Sequence, residues 1–127
     1  MNENKSLILI IDDETDWSDI LTVNLNKLGY ATHAVSDAAQ AKAWLASHRP
    51  ALILLDIMMP DGNGLDLCHW IHAQKEFEPI PIIIDSGIKD DETAQMALEL
   101  GASFFMRKPI KLEVLKQKIK QLLASKS

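Results

Sequence analysis

The chain has 127 residues, which is enough for one domain and leaves no room for a second sizeable core. Its net charge of −5 and its pI near 5.2 argue against direct binding of nucleic acid, because phosphate contacts need clustered Lys and Arg. No apolar run approaches the roughly 20 residues that span a membrane, and Cys68 has no second cysteine with which to form a disulfide. We therefore expect a single cytoplasmic domain over residues 1–127, with a core of about 6–124 and frayed ends at 1–5 and 125–127.

Five short apolar runs recur along the chain and predict five strands. In chain order they occupy residues 7–11, 30–35, 51–55, 80–84 and 104–106. Three of them are nearly continuous in Ile and Leu, which is typical of strands that are buried on both faces of a parallel sheet.

The first two segments between these runs predict helices. In the first helix, five apolar residues fall on one stripe at spacings of three and four: Trp17, Ile20, Leu21, Leu25 and Leu28. Gly29 supplies the stop of this helix. The second helix is expected to begin at Ser36, which is a good N-cap, and to end before Pro50.

Three more helices follow. The third is expected to begin at about Gly64. The fourth occupies residues 90–100, with acidic side chains in its first turn, where the helix dipole favours negative charge, and Gly101 ends it. The last runs from about 111 to 124, with five Leu and Ile residues facing inward. Five strands that alternate with five helices predict an α/β fold, a doubly wound five-stranded parallel sheet with right-handed crossovers.

Polar side chains follow four of the predicted strands. They are Asp12, Asp13 and Glu14 after the first strand, Asp56 after the third, Ser86 and Gly87 after the fourth, and Lys108 and Pro109 after the fifth. In an open doubly wound sheet, ligands bind outside the carboxyl ends of the strands. In the strand order 2-1-3-4-5, with neighbours about 4.8 Å apart, Asp13 lies next to Asp56 and Ser86 lies beside Asp56. Lys108, one strand further, can span the remaining gap with its four-carbon stem.

Clustered carboxylates need a compensating charge. Two like charges about 4 Å apart repel by roughly 4 kcal/mol at an effective dielectric near 20. A divalent cation offsets this repulsion, and ligands that are all oxygen suit a hard ion such as Mg²⁺, which Mn²⁺ can replace. No His or Cys lies at these strand ends, which counts against zinc.

Four motifs together resemble the receiver domain of bacterial two-component response regulators. They are IDDE at 11–14, LDIMMPDGNG at 55–64, SG at 86–87, and GA at 101–102 followed by KP at 108–109. The match spans nearly the whole chain in the right order and spacing. The resemblance implies a flavodoxin-like fold and a phosphorylation-controlled switch in signal transduction, rather than an enzyme with a small-molecule product.

The resemblance also implies a role for each acidic residue. Asp56 is similar to the family's phosphoacceptor, which attacks the phosphorus of a phosphohistidine on a histidine kinase or a histidine phosphotransfer protein. Asp13 and Asp56 are similar to direct Mg²⁺ ligands, with the backbone carbonyl of Met58 as a third ligand and Asp12 acting through water.

The remaining motif residues are implied to bind the phosphoryl group and to transmit the switch. Lys108 would pair with one phosphoryl oxygen, and Ser86 would hydrogen-bond to another. Ser86 then moves toward the phosphoryl group and Phe105 turns inward, which changes the surface of helix four, strand five and helix five. A downstream partner, an output domain or a second copy in a homodimer would read that surface. Lys108–Pro109 resembles the family's cis peptide bond.

Three features depart from the family's usual pattern, and one of them is that Ser103 and Phe104 replace the acidic pair that often follows Gly-Ala. Asp85 stands where an apolar residue is usual, and we expect Arg107 on the neighbouring strand to pair with it. Met58 and Ile88 lie two positions beyond Asp56 and Ser86, where the family tunes the phosphoryl lifetime. Neither side chain can orient an attacking water, so we expect the phosphoryl group to be lost over minutes to hours rather than seconds.

Two other functions compete with the receiver interpretation. One is a Mg²⁺-dependent phosphatase of the haloacid dehalogenase type, but that family places a second Asp two residues after its nucleophile, where this chain has Met58. The other is a scaffold that works without phosphorylation, against which the intact Asp12–Asp13 pair, Asp56 and Lys108 argue.

Overall fold

The computed structural model describes residues 5–87 and 91–124, and these form a three-layer α/β domain. Its strands are β1 (Leu7–Ile11), β2 (Ala31–Val35), β3 (Leu52–Asp56), β4 (Met58–Met59), β5 (Gly62–Asn63), β6 (Ile82–Ser86) and β7 (Phe104–Arg107). Its helices are α1 (Thr15–Lys27), α2 (Ala38–Leu45), α3 (Gly64–His72), α4 (Asp91–Glu99) and α5 (Leu112–Ala124). The expected frayed residues 1–4 and 125–127 and the expected helical Asp90 lie outside the described residues.

Five of the strands form one parallel sheet in the order β2-β1-β3-β6-β7. The two-residue strands β4 and β5 pair with each other in the connection between β3 and α3. Since β6 and β7 are the fourth and fifth strands of the main sheet, the predicted order 2-1-3-4-5 is confirmed.

Alternation along the strands divides the core into two apolar clusters. Ile8 and Ile10 of β1 face one side and pack with residues of α1 and α5. Leu9 and Ile11 face the other side and pack with residues of α2, α3 and α4. Each fully buried Leu or Ile stabilises the fold by about 1.5–3 kcal/mol, so a sheet that is covered on both faces is a rigid support for its strand ends.

The fourth strand of the sheet begins two residues later than predicted. It covers Ile82–Ser86 rather than 80–84. Pro81 precedes it, and proline has no N–H to give to a central ladder, whereas the Ile80 N–H donates to the Phe77 carbonyl in the preceding turn. The shift places Ser86 inside the strand.

The start of α2 also differs from the prediction. Asp37, not Ser36, is the N-cap, and its Oδ1 accepts a 2.8 Å hydrogen bond from the Gln40 N–H. The carboxylate of Asp61, from the turn between β4 and β5, accepts from the Ala38 and Ala39 N–H groups at 2.9 and 3.0 Å. These two bonds hold the pKa of Asp61 below its ordinary value. The prediction of Ser36 was wrong by one residue: the Asp37 carboxylate caps the helix, and Asp61, more than 20 positions away in the chain, satisfies two further N–H groups.

The predicted apolar stripe of α1 is narrower in the structure. Leu21 and Leu25 are buried, but Ile20 and Leu28 are 46% and 50% exposed. Ile20 lies about 100° around the helix from Leu21, outside the strip that meets the sheet. Leu28 is the C-cap residue, beyond the last helical turn, so it projects past the packed face.

Gly64 lets α3 begin close against the end of β3. A Cβ on this residue would overlap the Asp56 carbonyl oxygen and would lie 2.6 Å from Ile57 Cα. The Gly64 N–H donates to the Ile57 carbonyl at 2.6 Å, which closes the loop tightly. The glycine therefore fixes the backbone directly after Asp56.

Gly64→Ala is expected to lower the free energy of unfolding by on the order of 2 kcal/mol, because its methyl group would meet backbone atoms that cannot rotate away. Gly62→Ala is the matched control in the same loop, since a Cβ there meets nothing within 4 Å. Urea unfolding of both variants measures the difference. Equal losses of stability in the two variants would contradict the close-packing argument.

Candidate functional site

Three carboxylates meet at the carboxyl edge of the sheet. One oxygen atom from each of Asp12, Asp13 and Asp56 lies within 4.8 Å of the others. β1 and β3 are adjacent, with Ile11 paired to Leu55, so the residues that follow both strands come out side by side. Asp12 and Asp56 are each only 3% exposed, whereas Asp13 faces solvent.

Backbone N–H groups orient the two buried carboxylates. Asp12 Oδ1 accepts a 2.9 Å hydrogen bond from the Glu14 N–H at the start of α1. Asp56 Oδ1 accepts a longer, 3.4 Å bond from the Met58 N–H. The Asp12 carboxylate is therefore held more firmly than that of Asp56, which can still accept further hydrogen bonds.

Lys108 supplies a positive charge to this edge. Its Nζ lies 3.7 Å from Asp56 Oδ2 and 2.9 Å from Glu14 Oε1. The Lys108–Pro109 peptide bond is cis, as the family resemblance implied. The Lys108 N–H donates to the Ser86 carbonyl at 2.8 Å, which keeps the lysine in register with β6. Ser86 itself is fully buried.

Burial is the largest influence on the pKa values of the charged groups at this edge, and neighbouring charges and hydrogen bonds modify it. Burial raises the pKa of Asp56, and the nearby Lys108 charge partly opposes the rise. Burial raises the pKa of Asp12 to about 6, against the hydrogen bond from Glu14. Burial lowers the pKa of Lys108, but its hydrogen bond to Glu14 and the surrounding carboxylates outweigh burial and leave the pKa above its ordinary value.

The acidic cluster fits a hard divalent cation. Within residues 5–87 and 91–124, it is the one set of three His, Cys, Asp or Glu side chains close enough to share an ion. Its donors are all oxygen, and two of them are buried carboxylates whose raised pKa values reflect a cost that a cation would remove. The structure thus brings together the acidic residues that the sequence predicted.

A cleft of about 510 Å³ opens over the cluster. Its walls are formed by Asp13, Glu14, Asp56, Met58, Met59, Pro60, Gly87 and Lys108. Met58 is 62% exposed and presents an apolar rim. Among the described residues, nothing lies within 4 Å of a Cβ built on Gly87. Ile88, the other residue expected to tune the lifetime, lies outside the described residues.

Asp85 and Arg107 do not pair, and that prediction was wrong. In the parallel register Asp85 is opposite Met106, and Arg107 is opposite Ser86. Because side chains alternate along a strand, Asp85 and Arg107 point to different faces of the sheet. Arg107 Nη2 instead lies 2.7 Å from Asp91 Oδ1 of α4, and its guanidinium lies 5.7 Å from the centre of the Phe105 ring.

Asp85 faces the layer of α1 and α5. It lines a small closed cavity with apolar residues that include Leu21 and Ile83. Burial raises its pKa to about 7, and the charges of Asp12 and Asp56 add to this rise. The Trp17 indole N–H lies near enough to lower this pKa slightly, although it makes no hydrogen bond of ordinary geometry. In the folded protein Asp85 therefore keeps its proton to a higher pH than an ordinary aspartic acid does.

Glu14 is the site residue whose part the sequence did not indicate. In the sequence it is one of the acidic residues after the first strand, and no motif there indicates a role for it. Its side chain crosses to Lys108, which is 94 residues away in sequence. No spacing pattern in the sequence predicts this contact.

The fold and the site together are those of a flavodoxin-like α/β domain with a carboxylate cluster and a lysine at the carboxyl edge of its sheet. The sequence model of the family described as response regulator receiver domain matches residues 8–120. The chain therefore belongs to this family and is a receiver domain of the two-component type.

Relatives by sequence agree. The transcriptional regulatory protein GltR of Pseudomonas aeruginosa is 32% identical over 123 residues, which cover 97% of this chain and 51% of GltR. The DNA-binding response regulator MtrA of Mycolicibacterium smegmatis is 31% identical over 123 residues, which cover 97% of this chain and 53% of MtrA. The chain thus spans about half the length of the curated relatives it matches.

Solved structures show the same fold. The signal receiver domain of a signal transduction histidine kinase from Syntrophus aciditrophicus superposes with a TM-score of 0.88 at 34% identity, over 94% of this chain and 91% of that one. A CheY-like receiver domain protein from Methanospirillum hungatei superposes with a TM-score of 0.90 at 29% identity, over 96% of each chain. Across the described residues, no helix is both long enough and apolar enough to cross a bilayer.

Asp85→Asn is expected to stabilise the protein more at pH 8 than at pH 5. The folded-state pKa of about 7 lies above the ordinary 3.8, so the folded protein holds this proton more tightly than the unfolded chain does. The contribution of Asp85 to the free energy of unfolding of the wild type is therefore lost as the pH rises from about 4 to about 7. The advantage of the variant should be larger at pH 8 than at pH 5 by on the order of 2 kcal/mol.

Urea unfolding at the two pH values, in buffer with a chelator, measures this difference. Asp66→Asn, at an exposed carboxylate of α3, is the control and should show the same small effect at both. A pH-independent effect of Asp85→Asn would contradict the raised pKa.

Proposed function

We propose that this domain accepts a phosphoryl group on Asp56 from a phosphohistidine of a histidine kinase or a histidine phosphotransfer protein. The observation that carries the proposal is the setting of Asp56: a carboxylate 3% exposed, beside two other carboxylates and 3.7 Å from the Lys108 ammonium, at the floor of an open cleft. A buried nucleophile at the base of an accessible cleft can be reached by a phosphoryl donor from one side only.

The acidic cluster would hold Mg²⁺, or Mn²⁺ in its place. Asp13 and Asp56 would bind directly, the backbone carbonyl of Met58 would be a third ligand, and Asp12 would act through water. When bound, the ion supplies neutralisation of the charge on the phosphoryl oxygens and aligns donor and acceptor. The three aspartates offer only oxygen ligands, which supports this assignment.

The residues of the chain supply the rest of the chemistry. A carboxylate oxygen of Asp56 attacks the phosphorus in line, an O–P bond forms, and the N–P bond of the phosphohistidine breaks with its electron pair returning to the imidazole. The Lys108 ammonium neutralises one phosphoryl oxygen and the Ser86 hydroxyl donates to another. Transfer of this kind depends mainly on positioning and on neutralising the equatorial oxygens.

Phosphorylation would shift the domain between two pre-existing states. It adds about 1.5 to 2 negative charges and three acceptor oxygens at one point. Ser86 would move toward them and Phe105 would turn inward. Phe105 has no hydroxyl, but Arg107 lies over its ring and also pairs with Asp91 of α4. A rotation of Phe105 would therefore disturb the link between β7 and α4 and change the surface of α4, β7 and α5.

The partners and the lifetime follow from the same reasoning. The apolar rim at Met58 supports slow loss of the phosphoryl group, over minutes to hours, because a thioether cannot orient a water molecule. The curated relatives are about twice as long as this chain and are named as transcriptional or DNA-binding regulators, which supports an output domain or a downstream partner for the α4–β7–α5 surface. A homodimer through that surface, a cytoplasmic location and the absence of a small-molecule product belong to the same proposal.

Incubation with phosphoramidate and Mg²⁺ is expected to add one phosphoryl group, because Asp56 is both nucleophilic and reachable through the cleft. Mass spectrometry of the intact protein measures the gain, and its decay after removal of the donor gives the lifetime. Asp56→Asn should show no gain, and a chelator should abolish the gain in the wild type.

Asp66→Asn is the control for removal of a carboxylate outside the cleft and should behave as the wild type does. An unmodified wild type would reject the phosphoacceptor function and would favour a scaffold that works without phosphorylation. A gain that persists in Asp56→Asn would place the acceptor elsewhere.

A further inference from the structure

Glu14 occupies the position directly before α1, where a side chain ordinarily caps the helix. Its backbone is extended, as expected of an N-cap, but its side chain makes no capping hydrogen bond. Instead the carboxylate reaches Lys108, where Oε1 accepts from Nζ at 2.9 Å. The side chain is thus committed to the cleft rather than to the helix that it precedes.

Glu14 holds the Lys108 ammonium more closely than Asp56 does. The 2.9 Å separation is a hydrogen bond, whereas the 3.7 Å separation between Nζ and Asp56 Oδ2 is too long for one. The Glu14 side chain is 60% exposed and that of Lys108 is 26% exposed. Ion pairs this exposed add little to stability, so the stability of the fold does not explain the contact.

The ion pair also stands at the boundary between two depressions. Glu14 and Lys108 both line the cleft over Asp56, and both line a neighbouring pocket of about 240 Å³ with Trp17, Pro109 and Ile110. The pair therefore forms a wall at the mouth of the cleft. Glu14 is one of four carboxylates, with Asp12, Asp56 and Asp85, whose negative charges act on the Lys108 ammonium.

We propose that Glu14 is a positioning residue of the phosphotransfer reaction, a competing acceptor that holds the Lys108 ammonium at the mouth of the cleft until a phosphoryl oxygen takes its place. This inference rests on the function proposed above. Glu14 hydrogen-bonds to Lys108 and not to Asp56, so it influences the reaction through the lysine. It sets a threshold, because the ammonium must leave an existing hydrogen bond before it can stabilise charge on the phosphoryl oxygens.

Glu14→Gln weakens the competitor and keeps its size. With phosphoramidate and Mg²⁺ the variant is expected to be phosphorylated about threefold to tenfold faster than the wild type, as followed by intact-protein mass spectrometry. Asp16→Asn is the matched control. It removes one exposed negative charge two residues further along, in the first turn of α1, and should stay within about twofold of the wild type.

Comparison of Lys108→Ala with Lys108→Ala/Glu14→Gln separates an effect of the Glu14–Lys108 contact from a general effect of charge. If Glu14 acts through Lys108, Glu14→Gln should no longer change the rate of phosphorylation, followed over longer incubations. Urea unfolding of Glu14→Gln should give wild-type stability, which excludes a loosened fold as the cause of the acceleration.

Three results would overturn the inference: a Glu14→Gln rate equal to or below that of the wild type, an equal acceleration in Asp16→Asn, or an acceleration that survives Lys108→Ala. Each of these leaves the proposed function intact, because the wild type is still phosphorylated on Asp56. Failure of the wild type to take up a phosphoryl group would instead reject the proposed function and this inference with it.

Discussion

Repulsion among carboxylates at one edge of the sheet is the constraint on which the rest of this domain depends. Asp12, Asp13 and Asp56 place their oxygens within 4.8 Å of one another, and two of these side chains are buried. Such a cluster is unfavourable unless a positive charge offsets it. Lys108 reaches the cluster from the far strand, where its Nζ lies 3.7 Å from Asp56 Oδ2 and 2.9 Å from Glu14 Oε1. The edge is thus left with an excess of negative charge, which favours the binding of a cation.

The sheet holds the mutually repelling carboxylates in place. β1 and β3 are buried on both faces and carry two independent apolar clusters, so the strand ends cannot move apart to relieve the repulsion. The close approach at Gly64 fixes the backbone after Asp56. The Lys108 N–H continues the ladder from Ser86 and holds the lysine in register. The backbone therefore keeps these charged groups together at one edge of the sheet.

The main sheet and the acidic cluster could be predicted from the sequence, because the strands are apolar runs and the site residues directly follow them. The apolar runs predicted the five strands of the main sheet, and the polar residues that follow them predicted the acidic cluster. The remaining features depend on contacts between distant residues. Asp61 caps α2 across the molecule, Arg107 pairs with Asp91 because strand alternation turns it away from Asp85, and Glu14 reaches Lys108. Side-chain direction and tertiary caps decide these contacts, and neither leaves a spacing pattern.

Binding of a cation by the acidic cluster is tested most directly by asking whether Mg²⁺ stabilises the domain. Thermal unfolding of the wild type and of Asp13→Asn, with and without millimolar Mg²⁺, measures this. Asp13 is exposed, so its replacement should not disturb the core, and without metal the variant should be at least as stable as the wild type. We expect Mg²⁺ to raise the wild-type Tm by a few degrees, roughly, and to leave that of Asp13→Asn unchanged. Equal shifts in both proteins, or no shift in the wild type, would contradict the claim that this edge of the sheet is built around a cation.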